Sequence, residues 1–180
     1  MKGLKEYNIS FVGLKEGSHD FQYQIDNKFF EEFQYTEFNE VNISANINLV
    51  KKSTLLELYF NIEGTINVPC DITNEYFNQE ISGNFPLVVK FGPEFNDENE
   101  EILIIPYEEY QINVAQYIYE LIVLSAPTKR THPDVLNGTM KSETLEKLKE
   151  LEINNEKTVE EESTDPRWDK LKDLLTGKNE

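Results

Sequence analysis

Apolar and polar residues alternate strictly over residues 41–49. Val41, Ile43, Ala45, Ile47 and Leu49 fall on one side, and Asn42, Ser44, Asn46 and Asn48 on the other. After Lys51-Lys52-Ser53-Thr54 the alternation resumes, with Leu56, Leu58, Phe60 and Ile62 against Glu57, Tyr59, Asn61 and Glu63. A period of two places one face of a strand in a core and the other in water, so these runs predict an antiparallel hairpin. Gly64 interrupts the second arm, as at a bulge, before Ile66 and Val68 lead into Pro69-Cys70-Asp71.

Weaker alternation over 4–13 (Tyr7, Ile9, Phe11) and 19–25 (Phe21, Tyr23, Ile25) reads as edge strands of the same sheet. Phe29, Phe30 and Phe33 fit either a helical turn or another strand. Residues 74–83 and 85–91 read as a strand pair stopped by Gly92-Pro93. The acidic stretch 96–101 reads as a loop, and 102–105 as a short strand ended by Pro106.

The period then changes. Val114, Ile118, Leu121, Ile122 and Ser125 recur at helical spacing behind Asn113, a candidate N-cap, and Ala126-Pro127 ends the run. Such a helix completes a core by covering one face of the sheet. Beyond Pro127, residues 128–141 read as a loop or linker. Ser142 can cap a helix carrying Leu145, Leu148 and Leu151, with Glu143 and Lys147 spaced for an ion pair. Residues 154–163 are acidic and polar enough to be disordered. Asp165 and Pro166 then announce a last helix, with Trp168, Leu171, Leu174 and Leu175 as its stripe and Gly177 as its stop.

The expected class is therefore α+β: a mainly antiparallel β-sheet body with one covering helix over 1–127, then a partly disordered tail. That second part, 128–180, is a linker and tail with short helices near 142–152 and 165–175.

Charge narrows the partners. The chain carries a formal net charge of −17. Residues 1–127 hold 7 basic and 21 acidic side chains, a net of −14. Nucleic-acid affinity comes largely from Lys and Arg neutralising phosphates, so this balance favours a basic partner protein over naked RNA. No signal peptide and no apolar run long enough to span a bilayer is visible, and a single cysteine excludes an intrachain disulfide. The implied setting is cytoplasmic, with no membrane partner.

Candidate chemistry is sparse. Cys70 with only His19 and His132 falls short of the four ligands of a structural zinc site, so no metal and no cofactor are expected. A cysteine–histidine pair could still form in three dimensions, but a cysteine beside a strand end is more often a packed side chain. No phosphate-binding loop, dinucleotide fingerprint, HExxH or GxSxG motif occurs. No catalytic residue is assigned. The basic candidates for phosphate contact are Lys51 and Lys52 at the hairpin tip, and Lys129, Arg130 and His132 after the helix. Cations there also stabilise the helix C-terminus through its dipole.

Three segments resemble one family. The run Tyr119-Glu120-Leu121-Ile122-Val123-Leu124-Ser125-Ala126-Pro127 with Lys129 and His132 is similar to a family helix ending in proline and a basic turn. The tail Asp165-Pro166-Arg167-Trp168-Asp169-Lys170-Leu171-Lys172-Asp173-Leu174-Leu175 is similar to that family's C-terminal signature, and residues 64–71 to the strand before its cysteine motif. The family is the YceD-like large ribosomal RNA subunit accumulation proteins. The resemblance implies a non-enzymatic, bacterial-type factor needed for accumulation of large-subunit ribosomal RNA and for ribosome assembly. Its partner would be a ribosomal RNA precursor or a large-subunit ribosomal protein. An acidic holder for a basic ribosomal protein is the alternative, and a small hydrolase or nuclease the least favoured. Many members carry Cys-x-Arg-Cys where this chain has Cys70-Asp71-Ile72-Thr73, so Cys70 and Asp71 are a remnant of that motif. In the tail, Arg167, Trp168, Leu171, Leu174 and Leu175 are the expected partner-binding residues. A helix of about ten residues is too short to hold alone, so it docks on its own body or on another molecule, with Trp168 as the anchor.

Overall fold

The computed structural model describes residues 4–140 and 142–151. The chain divides into two units, Met1–Ser142 and Glu143–Glu180. In the second, helix α4 (Glu143–Leu151) carries the Glu143–Lys147 ion pair at 2.5 Å that the spacing predicts.

The first unit is built on a six-stranded sheet. The predicted hairpin forms, as β3 (Glu40–Lys51) and β4 (Leu55–Pro69), paired without a break from Glu40↔Asn67 to Lys51↔Leu56. Every apolar residue of the alternation is buried, from Val41 to Leu49 and from Leu56 to Val68. β2 (Gly17–Ile25) adds to the free side of β3, and β5 (Tyr76–Gly92) to that of β4. With β6 (Asn96–Asn99) and β7 (Ile102–Pro106), the spatial order is β2-β3-β4-β5-β7-β6, antiparallel except for the parallel pair of β5 with β7. With few helices beside this sheet, the class is α+β, as the sequence predicts.

Several local expectations need correction. Gly64 marks no bulge, because the register passes through it on both sides, opposite Ile43 and Ile81. Its role is close approach: a Cβ there would lie 2.2 Å from the Asn42 carbonyl oxygen, at a φ of +154°. The supposed pair 74–83 and 85–91 is a single strand, β5. Gly83 does not turn the chain; it leaves space for α2 (Ala115–Ser125), whose Ser125 Oγ would stand 2.3 Å from a Cβ at that position. The acidic stretch is not wholly a loop, since Asn96–Asn99 forms edge strand β6 against β7. Residues 4–13 do not join the main sheet. They make a 3-10 turn (Lys5–Tyr7) and β1 (Asn8–Ser10), which pairs with β8 (Gln111–Asn113) in a separate two-stranded ribbon.

The Phe29 region is helical. Asp26 accepts the Lys28 and Phe29 amides at 3.0 and 3.4 Å and so caps α1 (Asn27–Glu32). This start turns Phe29 and Phe30 into the core, where rings of Tyr7, Phe38 and Tyr119 surround them. α2 lies over β4 and β5 and buries Ala115, Ile118 and Ile122. Asn113 does assist its start, accepting the Ala115 amide at 3.0 Å, although Val114 holds the cap position. α1, the β1–β8 ribbon and α2 thus cover one face of the sheet. The other face stays polar, and its carboxamides bond to one another, as in Gln24–Asn42 at 2.8 Å and Asn67–Asn78 at 2.7 Å.

Candidate functional site

Cys70 directly follows β4, still on the buried phase of its alternation, and is 2% exposed. The chain then makes a tight turn in which the Cys70 carbonyl accepts the Asn74 amide at 2.8 Å, with Asn74 at a φ of +60°. Onto this turn folds the segment after α2. Asp71 clasps Arg130 twice: its amide donates to the Arg130 carbonyl at 2.8 Å, and its Oδ2 accepts the Arg130 amide at 2.7 Å. The His132 amide donates to Cys70 Sγ at 3.3 Å. Within 128–141, expected from composition to be a loop or linker, Arg130 and His132 are therefore bonded into the body.

This turn brings together Cys70, Asp71, Arg130 and His132, but not as a catalytic pair. The His132 ring uses Nδ1 to accept the Asp134 amide at 3.1 Å, capping the four-residue helix α3 (Pro133–Leu136). Its backbone, not its imidazole, meets the thiol. Burial pushes the Cys70 thiol up. The Thr73 side chain and the amides of His132, Thr73 and Ile72 outweigh it, lowering the pKa from 9.0 to about 7. Thr73 thus occupies the second-cysteine place of the motif and supplies a hydrogen bond to the first.

A pH dependence follows from that shift. Between pH 7 and 9 the unfolded chain holds the thiol proton and the folded chain does not. Cys70 therefore adds stability as pH rises through this window, and loses it as pH falls through 7. Denaturant midpoints of wild type and Cys70→Ser across that range should differ in slope, with wild type the steeper.

Three of the candidate cations bond to acceptors of this chain. Arg130 bonds Glu37 at 3.3 Å, and Glu37 also accepts the Tyr35 hydroxyl. Lys51 Nζ donates to the Phe11 and Leu14 carbonyls, each at 2.8 Å, and Lys52 pairs with Glu57 at 2.5 Å. Lys129 is exposed. These residues do not form one patch: the hairpin tip and the Cys70 turn lie at opposite ends of the 15-residue β4, roughly 50 Å apart at about 3.3 Å per residue. Arg167, Trp168, Leu171, Leu174 and Leu175 lie outside the described residues. Among the described residues, no group of three or more His, Cys, Asp and Glu could hold a metal ion, and no helix is long and apolar enough to cross a membrane.

The cysteine turn, the helix above the sheet and the stretch beyond it also match as one continuous unit. A family model described as "Large ribosomal RNA subunit accumulation protein YceD" matches residues 58–175, about two-thirds of the chain. The chain belongs to the YceD family. No curated protein and no solved structure gives a significant match. The YceD match begins inside β4 and takes in the Cys70 turn, β5 to β8, α2 and the Arg130 segment. β2, β3 and the hairpin-tip lysines precede it. The YceD-matched part thus contains one of the two cationic sites, all of β5 and most of β4, the two strands on which α2 rests.

What sequence reasoning missed here is the clasp. Asp71 was visible only as a motif remnant, and Arg130 only as a cation after a helix. Residues 59 apart in sequence bond directly, and no local pattern announces that.

Proposed function

We propose that this chain supports accumulation of large-subunit ribosomal RNA, and with it ribosome assembly, as a non-catalytic binding protein whose direct partner is a basic ribosomal protein. YceD family membership motivates the first half. One observation carries the second. The cations read as phosphate contacts stand in two sets at opposite ends of β4, and Lys51, Lys52 and Arg130 already bond to acceptors of this chain. Direct RNA affinity rises with the number of phosphates neutralised together, and this arrangement offers few. A body of net −14 instead attracts a basic chain and shields it from wrong contacts. The buried thiol and the capping role of the His132 ring favour binding over catalysis.

The test is depletion followed by subunit profiling and affinity recovery. Large-subunit particles are expected to fall relative to small ones, and the purified protein to retain a basic ribosomal protein after nuclease treatment. Unchanged large-subunit levels would sink the assembly role. Recovery of a partner only while RNA is intact would replace the protein partner with RNA.

A further inference from the structure

Where α2 passes over the end of the sheet it leaves an open groove of about 780 Å³, within the roughly 300–1,000 Å³ range of ligand sites. The floor is apolar: Phe85 and Leu87 of β5, Leu103 and Ile105 of β7, and Tyr117 and Leu121 of α2. Two bulky residues stand at its mouth well out in water, Leu124 at 82% and Phe95 at 59% exposure. Around them lie four exposed carboxylates, Asp97, Glu100, Glu109 and Glu120. No Lys, Arg or His lines the groove among the described residues.

The geometry points to this groove as the docking site for a Lys/Arg-rich protein segment that carries one or two bulky apolar side chains. The inference rests on the basic-partner reading above and gives that partner a place. Each half of the site selects against other occupants. An apolar floor with exposed Phe95 and Leu124 gains most from a ligand that removes those surfaces from water. A rim of carboxylates without a cation repels phosphates, which argues against RNA, and attracts ammonium and guanidinium groups. Burial pushes Tyr117 up to about 12, with the charges of Asp97 and Glu120 adding to it. Apart from Asn8, every lining residue falls inside the YceD-matched stretch. The Phe85–Tyr117 stack, at 6.4 Å and 15° between planes, gives the floor a flat aromatic wall for an aliphatic or guanidinium side chain.

The experiment titrates the full-length protein with a labelled peptide in which two leucines are flanked by lysines, and with its counterpart bearing glutamates in place of the lysines. Only the lysine peptide is expected to bind. The double variant Asp97→Lys/Glu120→Lys should weaken binding about tenfold, and Phe95→Ser/Leu124→Ser, which changes no charge, by a similar factor. Glu63→Lys/Glu80→Lys reverses as much charge on the outer sheet face and should change binding by less than about threefold. All of these positions are exposed, so the variants keep the fold.

Equal weakening by both charge reversals would overturn the groove and leave only general acidity. So would indifference to Phe95→Ser/Leu124→Ser, binding of both peptides alike, or binding of neither. Groove-dependent binding of a labelled single-stranded RNA, or a dimer lost in the Phe95→Ser/Leu124→Ser variant, would give the site to another occupant and overturn the proposal. The parent reading is separable. If wild type and groove variants retain the same basic ribosomal protein equally after nuclease treatment, the groove falls and the partner class stands. Groove-dependent peptide binding with no ribosomal protein retained by wild type supports a basic-segment site and removes the ribosomal partner.

Discussion

Gly64→Ala is expected to lower the melting temperature by about 10 °C or more, or to prevent folding altogether. The added Cβ would stand 2.2 Å from the Asn42 carbonyl oxygen and 2.7 Å from the Ile43 Cα, both backbone atoms of the neighbouring strand. A flexible side chain could move aside; a central strand cannot. β3 is bonded to β2 on its far side over nine consecutive residue pairs, so shifting it disturbs two ladders at once. The φ of +154° adds strain for any residue with a side chain. Together these effects place the loss at about 4 kcal/mol or more, at the far end of single substitutions. Gly13→Ala is the control. Nothing lies within 4 Å of a Cβ there, so its thermal transition should match wild type. A Gly64→Ala protein that melts with wild type would show that β3 and β4 are not paired at this register.

Phe60→Ala should cost about 3–5 kcal/mol. Phe60 is the largest of the fully buried side chains, on the inner face of β4, with the Tyr117 ring at 5.8 Å and the Phe85 ring at 6.0 Å. Truncation loses the transfer free energy of the ring and leaves a cavity bounded by a helix and two strands, which cannot close over it without moving the sheet. Phe60 also backs two residues of the groove floor, so lysine-peptide affinity should fall with stability. Leu124→Ser separates the two effects: at 82% exposure Leu124 adds little to the fold, and its loss should lower peptide binding with the melting temperature unchanged. Urea unfolding read alongside peptide titration checks both. A Phe60→Ala loss below about 1 kcal/mol would contradict the packing described for α2.

The sequence by itself determined those parts whose signal lies in neighbouring residues. The β3–β4 hairpin, β7 and α2 were legible because periods of two and of three to four record which side of one element is buried, whatever buries it. The family resemblance was legible for the same reason, since its segments are continuous. Other features depended on residues far apart. β1 is three residues long and holds only because β8 meets it, as Asn8 and Asn113 bond across 105 positions. The acidic run 96–99 has poor strand propensity, yet β7 offers it an edge. Gly83 looked like a turn because nothing local shows a helix lying above it, and Gly64 like a bulge because nothing local shows how near β3 comes. The candidate sites divide in the same way. Composition identified an acidic body and a few cations, but only tertiary structure set those cations at opposite ends of β4 and closed Asp71 on Arg130. The groove belongs wholly to this second class. Its floor comes from β5, β7 and α2 and its rim from three separate acidic stretches, so it exists only once long-range burial has laid the helix across the sheet.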